Sequence, residues 1–192
     1  MLLEIHQVDV EAKDEAGRTP LFKATQAGSF DVVKHLLLLG KAVPDSSDSE
    51  DNTTPLSWAA EDGHLAMAKL LIDTGNVKIN SKDVNNRTPL FLAASNGHGG
   101  IVKLLLETEA VDVNVRDSDG QTPLFAAALG GSRSIVKMLL DTGKADINTK
   151  EERRWLVLSG RAMTWWSRCF TTSGSTTVSH LRHRLPIEGM GR

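Results

Sequence analysis

One sequence pattern recurs along this chain at an almost constant interval. Its register is marked by Thr-Pro pairs with successive separations of 35, 34 and 34 residues: Thr19-Pro20, Thr54-Pro55, Thr88-Pro89 and Thr122-Pro123. A period of this length is typical of a solenoid, because each unit can bury its apolar face only against its neighbours. The chain is therefore predicted to fold as a stack of similar units, and stacks of this kind usually bind other molecules rather than catalyse reactions.

Each unit carries the signals of two helices joined by a tight turn. The threonine of the Thr-Pro pair supplies an N-cap oxygen, and the proline fits the first helical position, where its missing N–H costs nothing. A glycine then predicts a sharp reversal before a second helix with buried apolar spacing. These glycines are Gly28, Gly63, Gly97 and Gly131. Gly40, Gly75 and Gly143 close three of the second helices, whereas Thr108-Glu109 in the third unit predicts a less clean end.

The third unit shows the pattern clearly, since from Arg87 to His98 it reads Arg-Thr-Pro-Leu-Phe-Leu-Ala-Ala-Ser-Asn-Gly-His. This string resembles the ankyrin repeat almost throughout, and the resemblance extends over residues 14–150. It implies an all-α, ankyrin-type helix-turn-helix solenoid with β-hairpin-like loops. The expected domains are the end of a partial repeat at 1–13, four repeats at 14–48, 49–82, 83–116 and 117–150, and a divergent basic tail at 151–192.

The resemblance also implies a function. Units of this family are L-shaped, and their turn tips and first-helix faces form a concave surface that generally grips other proteins. The predicted contact residues are positions that the framework leaves free: Arg18, Gln26, Glu50, Asp51, Thr53, Trp58, Glu61, Asp62, Asn85, Arg87, Ser95, Asn96, Ser118, Asp119, Gln121 and Leu129. The predicted contact patch is the acidic set of the second unit, with Trp58 beside Glu61 and Asp62, since Trp is common at interface hot spots. For Trp58 itself, the favoured interpretation is that it fills the gap between stacked helices.

Two further features have both a functional and a purely structural interpretation. The loop at residues 45–51 is acidic and rich in serine. It is predicted to be either a phosphorylation site, which would deepen its negative charge, or a solvated hairpin tip, which is the favoured interpretation. Its carboxylate spacing is not that of a calcium loop. His64 and His98 are predicted to form local hydrogen bonds at the helix turn rather than to bind metal.

Charge and cysteine usage limit the classes of partner. Residues 1–150 contain 15 Lys and Arg against 21 Asp and Glu, a net charge of −6, whereas phosphate binding needs a basic surface. A nucleic-acid partner of the repeat body is therefore not expected. The start of the chain has no basic n-region and no long apolar stretch, so neither a signal peptide nor a membrane span is expected. The single Cys169 favours a reducing interior, so the predicted location is intracellular, with the cytoplasm preferred and the nucleus open.

The predicted function is a non-enzymatic protein-protein interaction module whose partner the residues do not specify. No cofactor, metal or small-molecule substrate is expected, because the sequence has no nucleophile with a base, no zinc-type spacing and no phosphate-cradling loop. The alternative is the recognition arm of a larger multidomain enzyme or signalling ATPase whose catalytic part is absent from this chain. An enzyme in its own right is disfavoured. The only candidate catalytic groups in the tail, with no acidic residue among them, are Ser167, Cys169, His180 and His183.

The tail at 151–192 departs from the pattern. Its 7 Arg and 3 Glu give a net charge of +4, it contains no Lys or Asp, and Leu156-Val157 stand where the period predicts the next Thr-Pro pair. We hypothesise that residues from about Glu152 onward are an out-of-frame remnant of a fifth repeat. The alternative is a genuine basic, aromatic extension that covers the open face of the fourth unit. The apolar residues expected to need that cover are Leu129, Ile135 and Leu139.

Overall fold

In the computed structural model, which describes residues 9–38 and 42–146, the chain forms eight α-helices arranged as four consecutive pairs. The first helices of the pairs are α1 (Pro20–Gln26), α3 (Pro55–Asp62), α5 (Pro89–Ser95) and α7 (Pro123–Leu129). The second helices are α2 (Phe30–Leu38), α4 (Leu65–Asp73), α6 (Gly99–Glu107) and α8 (Arg133–Asp141). The described ranges contain no β-strand, and the predicted all-α solenoid is confirmed.

The helices lie in two layers. Each first helix packs against the first helix of the next pair, each second helix against the next second helix, and the two helices of a pair contact each other. Small side chains allow the first helices to approach closely, and the fully buried ones are Ala59, Ala60, Ala93, Ala94 and Ala127. Leucines with no exposed surface fill the space between the layers: Leu21, Leu56, Leu71, Leu90, Leu105 and Leu139. Burying one leucine stabilises by about 1.5–3 kcal/mol. These buried leucines therefore hold the two helix layers together, and the first helices form one continuous surface.

The start of each first helix follows the predicted N-cap. Thr88 has extended backbone angles, and its side chain accepts a hydrogen bond from the N–H of Phe91 at 3.3 Å. Pro89 occupies the first turn, where its missing N–H leaves no partner unsatisfied. The same threonine cap and proline begin α1, α3 and α7. The prediction is therefore confirmed in all four described pairs.

Removing one of these caps is expected to lower stability measurably. Thr88→Ala leaves the Phe91 N–H without its acceptor in a site where Thr88 is 1% exposed, so the free energy of unfolding should fall by about 1 kcal/mol. The control is Ser132→Ala, because Ser132 begins α8 without a side-chain cap hydrogen bond. Urea unfolding followed by far-UV circular dichroism measures both variants, and equal losses would contradict the capping role.

The turns between paired helices bring consecutive pairs into contact. Gly63 ends α3 with a φ of 80°, in the left-handed region that glycine adopts without strain. A Cβ atom on this glycine would lie 2.6 Å from the ring of His98. That ring belongs to the next pair, and its Nε2 lies 2.9 Å from the carbonyl oxygen of Glu61. His98 therefore makes the predicted hydrogen bond, but it reaches across to the preceding pair.

The ends of the second helices are more alike than predicted. Thr108 ends α6 with extended backbone angles, whereas the equivalent Thr74 and Thr142 are helical. All three helices nevertheless have nine residues. At the end of each of these three helices the threonine hydroxyl donates to the carbonyl three residues earlier at 2.6 or 2.7 Å. The extended backbone of Thr108 agrees with the expected less clean end of α6, and the helix keeps the same length as α4 and α8.

The second helix of the first pair departs from the predicted apolar stripe. Val32 is 51% exposed, whereas Met67 at the equivalent position of α4 is 2% exposed. Side chains at this position face the preceding pair, since a Cβ atom on Gly99 would lie 3.7 Å from Cγ1 of Ile135. The first pair is the earliest one described, and residues 1–8 lie outside the described ranges.

The predictions about the tail fall beyond residue 146 and so lie outside the described residues. They include the out-of-frame hypothesis, the alternative of a basic extension, and the disfavoured catalytic groups. Of the three residues expected to need cover, Leu129 is 55% exposed, whereas Ile135 and Leu139 are 1% and 0% exposed. Leu129 is thus the residue of that set that presents an apolar surface.

Candidate protein-interaction surface

A short loop precedes each first helix, and an aspartate organises it. In the third loop, Oδ1 of Asp83 accepts hydrogen bonds from the N–H groups of Asn85 and Arg87 at 2.9 and 2.8 Å. Asp14 and Asp117 accept the same two bonds in the first and fourth loops. One residue of each loop adopts a positive φ, which Gly and Asn tolerate best. These residues are Gly17, Asn52, Asn86 and Gly120. We call these four loops the hairpin tips.

The second hairpin tip absorbs the one irregular repeat spacing. Oδ1 of Asp48 accepts from the N–H groups of Asp51 and Thr53, three and five residues later, at 3.1 and 2.9 Å. In the other tips the two donors follow at two and four residues. Asn52 takes the left-handed position with a φ of 53°. The extra residue therefore lies between Asp48 and Asp51, inside the tip, and the helices that follow keep their register.

Main-chain hydrogen bonds join each hairpin tip to the next. The three donors and acceptors are Ser49 to Ala16, Val84 to Asp51 and Ser118 to Asn85, at 2.8, 2.9 and 2.8 Å. Each bond runs from an N–H group to a carbonyl oxygen of the preceding tip. The tips therefore form a ladder along one edge of the first-helix layer.

In two tips an arginine pairs with the organising aspartate. Nε of Arg18 lies 2.9 Å from Oδ2 of Asp14, and Nε of Arg87 lies 2.7 Å from Oδ2 of Asp83. The hydrogen bond from the Arg18 N–H is the largest cause that holds the pKa of Asp14 below its ordinary value, and partial desolvation opposes it. Because the folded-state pKa is lowered, this stabilisation is present above the ordinary pKa and is lost as the pH falls through the folded value.

The fourth tip lacks the corresponding arginine. Position 121, four residues after Asp117, holds glutamine. The neighbouring Arg116 lies 3.6 Å from Asp146 through its Nη2. None of the ion pairs within residues 9–38 and 42–146 includes Asp117. Its carboxylate therefore carries a charge that the described cations do not neutralise.

The third and fourth pairs enclose a groove of about 490 Å³ on the side of the first helices. Seven predicted contact residues line it: Asn85, Arg87, Ser95, Ser118, Asp119, Gln121 and Leu129. Its floor is apolar, since Phe91 and Ala126 lie there at 6% and 5% exposure, with Leu129 at 55% exposure beside them. Asp117 adds a carboxylate to the lining. The groove therefore combines an apolar floor with polar and acidic walls.

Comparison with known proteins agrees with this architecture. The chain matches the family described as ankyrin repeats (3 copies) over residues 1–83 and 75–151. It belongs to the ankyrin-repeat family. The resemblance predicted from the third unit is thereby confirmed.

Similarity to individual ankyrin-repeat relatives is local. Over 74 residues the chain is 38% identical to the 26S proteasome non-ATPase regulatory subunit 10 of Dictyostelium discoideum, a segment that covers 38% of this chain and 32% of that protein. Over 75 residues it is 36% identical to the SMC5-SMC6 complex localization factor protein 1 of Homo sapiens and of Bos taurus, covering 39% of this chain and 7% of each relative. The matched segment thus spans about a third of the first relative and far less of the other two.

The predicted patch on the second ankyrin repeat contains one residue that packs between repeats. The rings of Trp58 and Phe22 lie 6.1 Å apart between α3 and α1, inclined at 55°. This geometry is common for packed aromatic pairs, and it agrees with the favoured interpretation that Trp58 fills the gap between stacked helices. The indole Nε1 is buried, and it has no hydrogen-bond partner in the described part of the chain. Asp62 remains exposed, and Glu61 is half-buried.

One predicted contact residue joins ankyrin repeats to each other. Nδ2 of Asn96 donates to the carbonyl oxygen of Glu61 at 3.1 Å, beside the contact that His98 makes to the same oxygen. Both bonds link the third pair to the second. The side chain of Asn96 is exposed but already engaged, and it does not line the groove.

The remaining predicted residues lie on the first two pairs, away from the groove. Thr53 is 6% exposed, and its N–H donates to Oδ1 of Asp48 within the hairpin tip. Arg18 is held by Asp14. The other three are surface positions whose role stays a prediction: Gln26, Glu50 and Asp51.

The acidic loop at residues 45–51 contacts the following repeat through Asp45, and Asp48 within it is buried. Oδ1 of Asp45 accepts from the N–H of Lys78 at 3.1 Å, and Oδ2 lies 3.4 Å from the Nζ of the same lysine. Asp48 is 9% exposed.

Within the described ranges, no three His, Cys, Asp or Glu side chains are placed to hold a metal ion, and no helix is long and apolar enough to cross a membrane.

Proposed function

We propose that this ankyrin-repeat chain is a non-enzymatic protein-interaction module whose partner binds in the groove between the third and fourth pairs. The observation that carries the proposal is the exposure of Leu129 on the apolar floor of that groove. Protein interfaces characteristically place an apolar centre inside a polar rim. The groove has both parts, whereas Trp58 of the predicted patch on the second repeat is half-buried against Phe22.

The family and the relatives support a protein as the partner. Ankyrin repeats are modules of protein-protein interaction, and the names of the matched relatives describe a regulatory subunit and a complex localization factor. A rigid stack suits this task, because side chains displayed on a preformed frame lose little conformational entropy on binding. The single cysteine of the sequence supports the further proposal of an intracellular location.

A charge placed on the apolar floor is expected to weaken partner binding. Leu129→Glu should lower the affinity for a partner about tenfold, because a carboxylate would have to be desolvated where a leucine was buried. The control is Val32→Glu, since Val32 is 51% exposed on α2, outside the groove. Partners captured by the full chain are identified by quantitative mass spectrometry, and their affinities for both variants are then measured by biolayer interferometry. Equal affinities for the two variants would contradict the proposed binding face.

A second candidate is that the repeats are the recognition arm of a larger multidomain enzyme or signalling ATPase. The observation that favours it is the 7% coverage of the two longer relatives, which shows this kind of segment inside much longer proteins. The full-length transcript that contains these codons distinguishes the two candidates. An in-frame catalytic domain on either side of the repeats would support the recognition arm, and a full-length reading frame without one would contradict it.

A further inference from the structure

We propose that the groove receives an arginine side chain of the partner, which pairs with the carboxylate of Asp117. The proposal rests on the proposed function, since it assigns a chemistry to the occupant of the same groove. It starts from the internal repetition of the chain. The structure contains two copies of the pair that the fourth tip lacks, with Nε to Oδ2 distances of 2.9 Å at Arg18 and 2.7 Å at Arg87.

The fourth tip keeps the geometry needed to accept a guanidinium group. Oδ1 of Asp117 accepts from the N–H groups of Asp119 and Gln121 at 3.0 and 2.8 Å, as Oδ1 of Asp83 does in the third tip. The carboxylate is therefore held in the same orientation in both tips. Oδ2 of Asp83 is occupied by Arg87, whereas glutamine at position 121 cannot supply a cation.

The charges of the groove favour a cationic occupant. Arg87 lies in its wall, but its Nε is engaged by Asp83, whose side chain is 1% exposed. Asp117 and Asp119 add two negative charges to the lining, and neither takes part in an ion pair among the described residues. Charge complementarity therefore selects a positively charged side chain.

Arginine fits this position better than lysine. The intramolecular pairs use Nε of a planar guanidinium, which keeps its outer nitrogen atoms available for a second acceptor. Asp119 is the next exposed carboxylate of the same tip and offers such an acceptor. A lysine ammonium is a point charge without this fork.

The aspartates of the second and fourth tips differ in exposure and in their position relative to the groove. Asp48 also lacks an arginine, since Thr53 occupies the corresponding position. Asp48 is 9% exposed, however, and it does not line the groove. Asp117 combines a missing internal cation with a position in the groove wall, near the exposed apolar surface of Leu129. The occupant is therefore a protein segment that carries an arginine close to an apolar residue.

The proposal is tested by NMR titration of the ¹⁵N-labelled full chain with acetylated, amidated peptides. The probes are Leu-Arg, Leu-Gly-Arg and Leu-Gly-Gly-Arg, and each has a counterpart in which citrulline replaces arginine. The expected result is a set of amide shifts centred on Asn85, Ser118 and Gln121, with affinity at least about fivefold lower for citrulline. Equal affinities for arginine and citrulline peptides would overturn the proposal.

The decisive variant is Gln121→Arg. It rebuilds the pair seen in the first and third tips, so the chain's own guanidinium should occupy Asp117 and lower the affinity for the arginine peptides at least about fivefold. Ser134→Arg is the control, because it makes the same charge change at an exposed position of α8. Unchanged binding by Gln121→Arg, or an equal loss in the control, would refute the proposal.

A third variant covers the case in which Gln121→Arg does not fold. Asp117→Asn keeps the carbonyl oxygen that holds the two N–H groups and removes the charge, so it should also reduce arginine-peptide binding. Unchanged binding would overturn the proposal.

The failure of this inference is separable from the failure of the proposed function. If Leu129→Glu weakens partner binding while citrulline peptides match arginine peptides, the binding face stands and the arginine is wrong.

Discussion

Replacement of Asp83 by alanine is expected to lower the free energy of unfolding by about 3 kcal/mol. This one side chain accepts three hydrogen bonds, from the N–H groups of Asn85 and Arg87 and from Nε of Arg87. Each is worth about 1 kcal/mol, and the side chain is 1% exposed, so water cannot replace the lost acceptor without opening the tip. The loss of a buried partner also leaves the Arg87 guanidinium unpaired.

The first hairpin tip supplies a matched control for Asp83. Asp14→Ala removes the same three kinds of hydrogen bond from a side chain that is 35% exposed. Water can take over the freed groups there, so its effect should be clearly smaller. Urea unfolding followed by far-UV circular dichroism measures both. If the two variants lose the same stability, burial does not set the strength of the aspartate contacts. Asp83→Asn, which keeps one carbonyl acceptor, should fall between wild type and Asp83→Ala.

Gly63→Ala is expected to cost about 2–3 kcal/mol through two separate effects. An alanine at a φ of 80° costs about 1–2 kcal/mol, because its Cβ approaches the following carbonyl. The new methyl group would also meet the ring of His98 at 2.6 Å. To relieve that contact the ring must move, which breaks its hydrogen bond to Glu61, worth about 1 kcal/mol.

Two further variants separate the effects at Gly63. Gly75→Ala has a similar φ of 71° with no atom within 4 Å of the added methyl group, so it should show the backbone cost alone. In a His98→Ala background, Gly63→Ala should show only its backbone cost, because the ring that the new methyl group would displace is absent. Wild type, Gly63→Ala, His98→Ala and the variant with both substitutions form a double-mutant cycle. Thermal and urea unfolding measure the stability of each. A coupling energy near zero would show that the ring adjusts without loss.

The sequence predicts the helices well because their signals are local. Thr88 and Pro89 begin a helix through contacts within one turn, and Gly63 ends one through its own φ. Such signals are read at single positions and recur at each repeat. The predicted solenoid, its caps and its turns therefore agree with the structure.

The exposure of individual side chains is predicted less well because it depends on neighbouring repeats. Trp58 and Leu129 both lie on first helices, yet one is packed against Phe22 and the other is 55% exposed in a groove. Single positions do not show which neighbour covers them. A signal for Asp117 is present in the sequence, however. Comparison of the residues after each organising aspartate shows arginine at 18 and 87 and glutamine at 121.

The ladder of hairpin tips joins consecutive repeats through backbone atoms. Each rung joins a backbone N–H to a backbone carbonyl, so the side chains at Ser49, Val84 and Ser118 take no part in it. Val84 is 56% exposed while its N–H is fully engaged. Substitutions that preserve the backbone conformation at these positions are therefore expected to cost little stability. In this ankyrin-repeat chain, the side chains of the tips can vary one tip at a time while the stack remains intact.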